Sequence, residues 1–255
     1  MLSILISIAI LLLLSPTTQS LTASSSTKDS ALFALNLQCK VRPEIRDEWL
    51  KQIKEDQLCS RRDEPECLQF VLGQDVDDEN AFYLFELYRN KEAFQHHGQT
   101  PHFQFYNDFV ETSQPYVGEP KLFFYHPTEE TDSTTKRPIH KDSFGLNVNL
   151  YPKASVLNDF LKVISENKKG TDTTEPLALQ YTYGKATNAP GEPELDSDNK
   201  NMAFHFHEQY SGDNHGKEGF DAHASAPHFA AWEDFVTTDP FDKAPEVSFF
   251  HILEQ

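Results

Sequence analysis

EPECLQF, Glu64–Phe70, is answered 111 residues later by EPLALQY, Glu175–Tyr181. The same spacing carries Phe33, Leu35, Leu37, Trp49, Leu50 and Ile53 onto Phe144, Leu146, Val148, Phe160, Leu161 and Ile164. Farther along, FELY at Phe85–Tyr88 meets HEQY at His207–Tyr210 at an offset of 122. AFQHHGQTPHF at Ala93–Phe103 then meets GFDAHASAPHF at Gly219–Phe229 at an offset of 126, a register that runs on to Phe123-Phe124 and Phe249-Phe250. One module is therefore written twice, and self-similarity on this scale decides the fold before any local propensity does. The second copy carries two insertions, about 11 residues near Thr187–Lys200 and about four near Ser211–Glu218. The longer one is rich in Pro, Gly, Asn and acids, the composition of a surface loop.

Each copy reads β-α-β-β-α-β. In Ala31–Cys39 the residues Phe33, Leu35, Leu37 and Cys39 share one face, while Leu32, Ala34, Asn36 and Gln38 share the other. After Pro43, a good first-turn residue, Ile45, Trp49, Ile53 and then Gln57 or Leu58 follow at helical spacing. Cys67–Gly73 and Ala81–Arg89 are strands joined by the acidic turn Asp75–Asn80. A second helix opens near Asn90 and breaks at Thr100-Pro101, where proline can restart it, and Lys121–His126 closes the sheet. This order places both helices on one face of a four-stranded antiparallel sheet and leaves the other face bare. A bare, half-apolar sheet face is a patch that soluble monomers avoid. The predicted solution is an α+β protein of two tandem ferredoxin-like modules packed sheet to sheet, as a dimeric α+β barrel within one chain, with a cavity inside. The modules span 31–126 and 142–255, joined by a polar linker over 127–141 that contains two prolines.

Ahead of the first module, Leu2–Leu14 is apolar apart from Ser3 and Ser7, no charge occurs before Lys28, and small polar residues follow. That layout predicts a signal peptide over 1–23 and a secreted or endomembrane-lumenal protein with no stable membrane association after cleavage. The apolar run falls short of the roughly 20 residues that span a bilayer. A net charge of −18 repels phosphate backbones and excludes nucleic acid as a partner. Cys39, Cys59 and Cys67 form no metal pattern; a Cys59–Cys67 bridge and three buried thiols are the two readings, and the second is preferred.

The run Phe94, His97, Pro101, His102, Phe103, together with the EPECLQF and FELY strands, resembles the antibiotic-biosynthesis-monooxygenase family, and among its members the quinol-monooxygenase-like proteins. The resemblance covers nearly all of Ala31–His126 and, more loosely, Phe144–Leu253. It implies a dimeric barrel, here supplied by the two copies, so that the chain is a monomer by duplication and can still assemble further. It also implies oxidation of a small aromatic or quinol-like substrate by O₂ with no cofactor and no metal. Haem-degrading members pair a strand Asn with a helix Trp and an iron-ligating His. Asn36 and Asn147 meet the first, but His97 and His223 stand at the Trp position, and Asn107 and Glu233 at the ligand position. This departure disfavours haem degradation.

Several side chains are candidates. His97 and His223 lie four residues before a proline break, and imidazole suits proton abstraction at neutral pH, so they are the predicted bases, with the first copy favoured. Glu86 and Glu208 share a strand face with Tyr88 and Tyr210, and a carboxyl in an apolar setting needs a partner or a raised pKa. Asn36 and Asn147 can orient a substrate oxygen, as can Tyr88 and Tyr210. His102 and His228, just past the prolines, read first as local structure and then as substrate contacts. His205 and His207 alternate on one strand face and could hold a metal, but no third ligand is evident. Rival functions are an acid–base isomerase of a small hydroxyketone and a barrel that only binds its ligand.

Overall fold

The computed structural model describes residues 31–128, 142–188 and 202–253. The predicted leader, nearly all of the linker and most of the longer insertion lie outside the described residues. The first module runs β1 Phe33–Lys40, α1 Arg46–Asp63 after a short 3₁₀ turn, β2 Cys67–Asp75, β3 Ala81–Tyr88, α2 Lys91–His97, α3 Pro101–Ser113 and β4 Lys121–Pro127. The second runs β5 Phe144–Pro152, α4 Leu157–Thr174, β6 Ala178–Thr187, β7 Phe204–Tyr210, α5 Lys217–Ala224, α6 Pro227–Val236 and β8 Phe241–Ile252. The helix break falls where proline predicts it. Asn90 accepts a bond from the Ala93 amide at the start of α2, and Thr100 accepts one from the Phe103 amide as α3 begins with Pro101. Of the two candidates on α1, Gln57 takes the inner position and donates to the Phe70 carbonyl at 2.8 Å, while Leu58 stays exposed.

The eight strands close in the order β1-β3-β2-β8-β5-β7-β6-β4. Each module contributes a four-stranded antiparallel sheet, and its last strand also joins the partner module. β8 pairs with β2 from Gly73↔Ile252 to Asp75↔Phe250, and β4 pairs with β6 from Phe124↔Thr187 to Pro127↔Gly184. These two short seams join the modules' sheets into one closed barrel. All three cysteines are buried.

A cavity was expected inside the barrel, but the two aromatic cavities that the described residues line beside Glu86 and Glu208 lie between sheet and helices instead. The interior is filled by side chains that tie the modules together. Phe85 stacks on His207 with ring centroids 3.8 Å apart, and these two stand at equivalent places in the repeat. Gln69 donates to Gln180, also its repeat equivalent, at 2.9 Å. The module axis therefore passes between like positions. Phe250 stacks against Tyr83, and its ring occupies the space that a Cβ at Gly73 or Gly145 would need, 2.1 and 2.2 Å away. Two strand glycines thus make room for one plug residue.

Candidate active site

The two faces of each strand have different fates, and this sorts the predicted residues. Asn36 and Asn147 point into the filled barrel. Asn36 donates to the Phe206 carbonyl at 2.9 Å and accepts from Tyr125 at 3.3 Å, while Asn147 accepts from His207 Nδ1 at 2.8 Å. Both are buried, and neither is brought to the cavities beside Glu86 and Glu208 where a substrate-orienting role was expected of them. His205 and His207 belong to the same interior; His205 is held to Asn149 Oδ1 at 2.8 Å, and burial lowers its pKa to about 4.

Glu86, Tyr88, His97 and their repeats Glu208, Tyr210, His223 lie on the other face, between each sheet and its own helices. Two cavities open there. The first, about 80 Å³, is lined by Leu35, Phe70, Glu86, Phe94, His97 and Phe103, with Asp56 and Asn107 among its polar walls. The second, about 260 Å³, is lined by Tyr181, Phe206, Glu208, Phe220, His223 and Trp232.

In both, a tyrosine donates to the buried carboxyl: Tyr88 to Glu86 at 2.7 Å and Tyr210 to Glu208 at 2.6 Å. Burial pushes Glu86 up to about 7, with Asp56 and Glu64 adding to the shift and His97 and Tyr88 opposing it. Burial also raises Glu208, tempered by His223, the Tyr210 bond and Lys168. Behind each histidine stands the glutamate of the EP motif. Glu64 Oε1 is 2.8 Å from both His97 Nδ1 and His102 Nε2. Glu175 Oε1 is 2.9 Å from His223 Nδ1 and 2.5 Å from His228 Nε2. His102 and His228 are thus partners of this glutamate at the back of the site, and His102 also lines a groove that opens beside Asp56. Sequence reasoning gave Glu64 and Glu175 no role, although their recurrence in the paired motif was a signal.

The copies part at one helix position. Asp56, buried in α1, sets Oδ2 3.8 Å from His97 Nε2 and Oδ1 3.9 Å from His102 Nε2. Burial raises Asp56 to about 6, against the pull of His97. For His97 burial opposes the charged form, but the Glu64 bond together with Asp56 and Glu86 lifts it to about 9. Burial likewise opposes ionisation of Glu64, yet the two imidazole bonds win and hold it low. In the second module Asn167 replaces Asp56 and donates to the Tyr181 hydroxyl at 3.2 Å, so His223 has a carboxylate at Nδ1 and no counterpart of Asp56 at its other nitrogen.

A tandem pair of modules closing one barrel, each with a carboxyl–tyrosine–histidine group in a cavity between sheet and helices, defines a duplicated α+β-barrel protein. The sequence profile of the antibiotic biosynthesis monooxygenase family matches residues 32–108. YcnE of Bacillus subtilis, named as a candidate monooxygenase, is 33% identical over 73 residues, 29% of this chain and 76% of that protein. The chain belongs to this family. An uncharacterised Synechocystis protein is 30% identical over 94 residues, and the matched part is 37% of this chain and 61% of that relative. Two solved structures share the fold across the whole barrel. A candidate monooxygenase from Fusobacterium nucleatum superposes with a TM-score of 0.69 at 15% identity, covering 88% of this chain and 94% of its own. An anthrone oxidase-like protein gives 0.56 at 13% identity, covering 90% and 94%.

Proposed function

We propose that the second-module cavity is the substrate site of a monooxygenase acting on a small aromatic or quinol-like molecule, with no flavin or haem. The observation that carries this reading is the Glu175–His223 pair in a roomy aromatic cavity beside Glu208. Volume favours this copy. An apolar cavity of about 150 Å³ is enough for benzene; the second cavity exceeds that and the first does not. Glu175 fixes Nδ1 of His223, so Nε2 is the proton acceptor, the logic of an oriented imidazole base. Glu208, held by the Tyr210 hydroxyl, hydrogen-bonds the substrate's second oxygen, and Phe220 and Trp232 hold its ring. Taking the acidic proton leaves an electron-rich anion that can hand an electron to O₂. One oxygen atom then joins a methylene or ring carbon, and the other leaves as water with two hydrogens from the substrate. The substrate itself supplies both electrons, so no external reductant is required. The assignment moves the working site from the first copy to the second, because both ring nitrogens of His97 already face carboxylates.

The test is oxygen uptake with a panel of quinols, polyphenols and aromatic ketones, alongside quenching of Trp232 fluorescence. Removing a general base typically costs about 10²–10⁴ in rate, so His223→Ala is expected to lose that much while His97→Ala loses far less. Equal uptake by the parent and His223→Ala would sink the base assignment. Ligand-dependent quenching of Trp232 with no uptake by the parent would instead establish the barrel as a binder.

A further inference from the structure

The first module has an excess of buried acid that the second module does not have. Asp56, Glu64 and Glu86 are all buried around His97, and the ion pairs of Asp56 and Glu64 run to His97 and His102. At the matching places the second module has Asn167 for Asp56 and Lys168 for Gln57. Lys168 Nζ donates to the Tyr181 carbonyl at 2.7 Å, as Gln57 donates to the Phe70 carbonyl at 2.8 Å. The lysine keeps the glutamine's hydrogen bond and adds a buried positive charge, which acts on Glu208. These two adjacent exchanges add two positive charges, while Asp172, the ion-pair partner of Lys168 at 2.7 Å, stands where the first module has Arg61.

Buried charge is paired or coordinates metal. Asp56, His97 and His102 converge, one ligand atom of each lying within 4.8 Å of the others, and an ion there would draw His102 Nε2 away from its 2.8 Å contact with Glu64 Oε1. Asp56 Oδ1 is buried and makes no hydrogen bond. The spacings of 3.8 and 3.9 Å from Asp56 to the imidazoles are too long for hydrogen bonds. They are about half an ångström more than the edge of a tetrahedral site with metal–nitrogen bonds near 2.0–2.1 Å. Glu64 Oε1, on Nδ1 of His97, stands where a second carboxylate commonly orients a metal-bound imidazole. A way in exists: a groove of about 360 Å³ between α1 and α3, lined by Glu55, Asp56, Pro101, His102 and Phe105, reaches the cluster from outside.

We propose that Asp56, His97 and His102 form a binding site for a divalent transition-metal ion in the first module; Glu175, His223 and His228 also converge in the second, but there the carboxylate is already bonded to both imidazoles and Asn167 stands in the place of Asp56. Two imidazoles and a carboxylate select zinc, cobalt, iron or manganese over magnesium and calcium, which prefer all-oxygen sets. When bound, such an ion would supply positive charge and an open coordination position at the floor of the first cavity. The site is separate from the substrate pocket and does not depend on the function given for it.

The experiment uses tag-free full chain, stripped with chelator, and probes it with Zn²⁺ and Co²⁺. Metal content after dialysis is expected at one ion per chain, with cobalt bands of an imidazole-bound, four- or five-coordinate centre. Asp56→Asn, which copies the second module, is expected to weaken binding tenfold or more. The double exchange Asn167→Asp with Lys168→Gln, which copies the first module, is expected to raise the count to two. No retained ion, equal affinity in Asp56→Asn, or a count that stays at one in the double exchange would each overturn the proposal. Should Asp56→Asn fail to fold, the parent's cobalt spectrum decides, and six-coordinate aquo-like bands would end the case.

Discussion

Single residues decide which face of a strand is chemistry and which is glue. On β7, His205 and His207 face the barrel interior, each tied to an asparagine, while Glu208 and Tyr210 face the helix side. His205 is held neutral, with its pKa lowered from 6.5 to about 4. The sign of its linkage follows directly. Between about pH 6.5 and 4 the unfolded chain takes up a proton that the folded chain refuses, so stability falls as pH falls through that window. Above pH 6.5 neither state is charged there and the group contributes no slope. A shift of this size corresponds to roughly 3 kcal/mol at most. His205→Tyr, which copies Tyr83 of the first module, is expected to be less acid-sensitive than the parent. Urea midpoints at pH 4.5 and 7.5 measure this; identical pH slopes for the two proteins would show that His205 is not the group responsible.

At the scale of elements, each helix break shows how far the two copies have drifted. Thr100 caps α3 with its hydroxyl, whereas Ala226 opens α6 with no side-chain cap. Both positions are extended, with φ near −70° and ψ near 150°, so either can accommodate threonine. An N-cap is typically worth about 0.5–2 kcal/mol. Thr100→Ala is expected to destabilise by about that amount, and Ala226→Thr to stabilise by somewhat less than 1 kcal/mol. Chemical denaturation of both variants checks the pair, and a stabilising Thr100→Ala would show that its hydroxyl is strained by its other bonds to the His97 carbonyl and His102. The shorter insertion adds a second difference. It ends in Gly216 at φ 84°, where a Cβ would lie 2.2 Å from the Tyr210 carbonyl, so the start of α5 requires glycine.

For the whole molecule, closure is the controlling fact. Alone, the first module would lose β8 from the edge of β2 and β6 from the edge of β4, and would bare Leu32, Val71, Phe85 and Leu87. Unpaired edges and an apolar sheet face both invite association. Ala31–His126 expressed by itself is therefore expected to dimerise, aggregate or remain unfolded, as read by size-exclusion chromatography and circular dichroism. A folded monomeric half would mean that the barrel interior contributes little to stability. The interior's polar ties, Gln69 to Gln180 and Asn36 to the Phe206 carbonyl, cross between modules and fix how they sit on each other.

The repeat, the element order, both helix breaks and the sheet-to-sheet pairing of modules were legible in the residues, because periodicity, proline and a bare apolar face are local or additive signals. The carboxyl–tyrosine pairs were legible too, since residues two apart on a strand share a face. Where the cavity lies was not. Strand alternation shows that Asn36 and Glu86 face opposite ways, but not which side is filled, and that depends on Phe250 and His207 arriving from the other module. Nor could sequence bring Asp56, Glu64, His97 and His102 together, since they sit on three helices and a helix end whose mutual packing is a tertiary outcome. Sequence determined the module and its duplication; only the closed barrel decided which face of each strand meets the partner module and which meets its own helices, because that depends on side chains such as Phe250 and His207 arriving from the other copy.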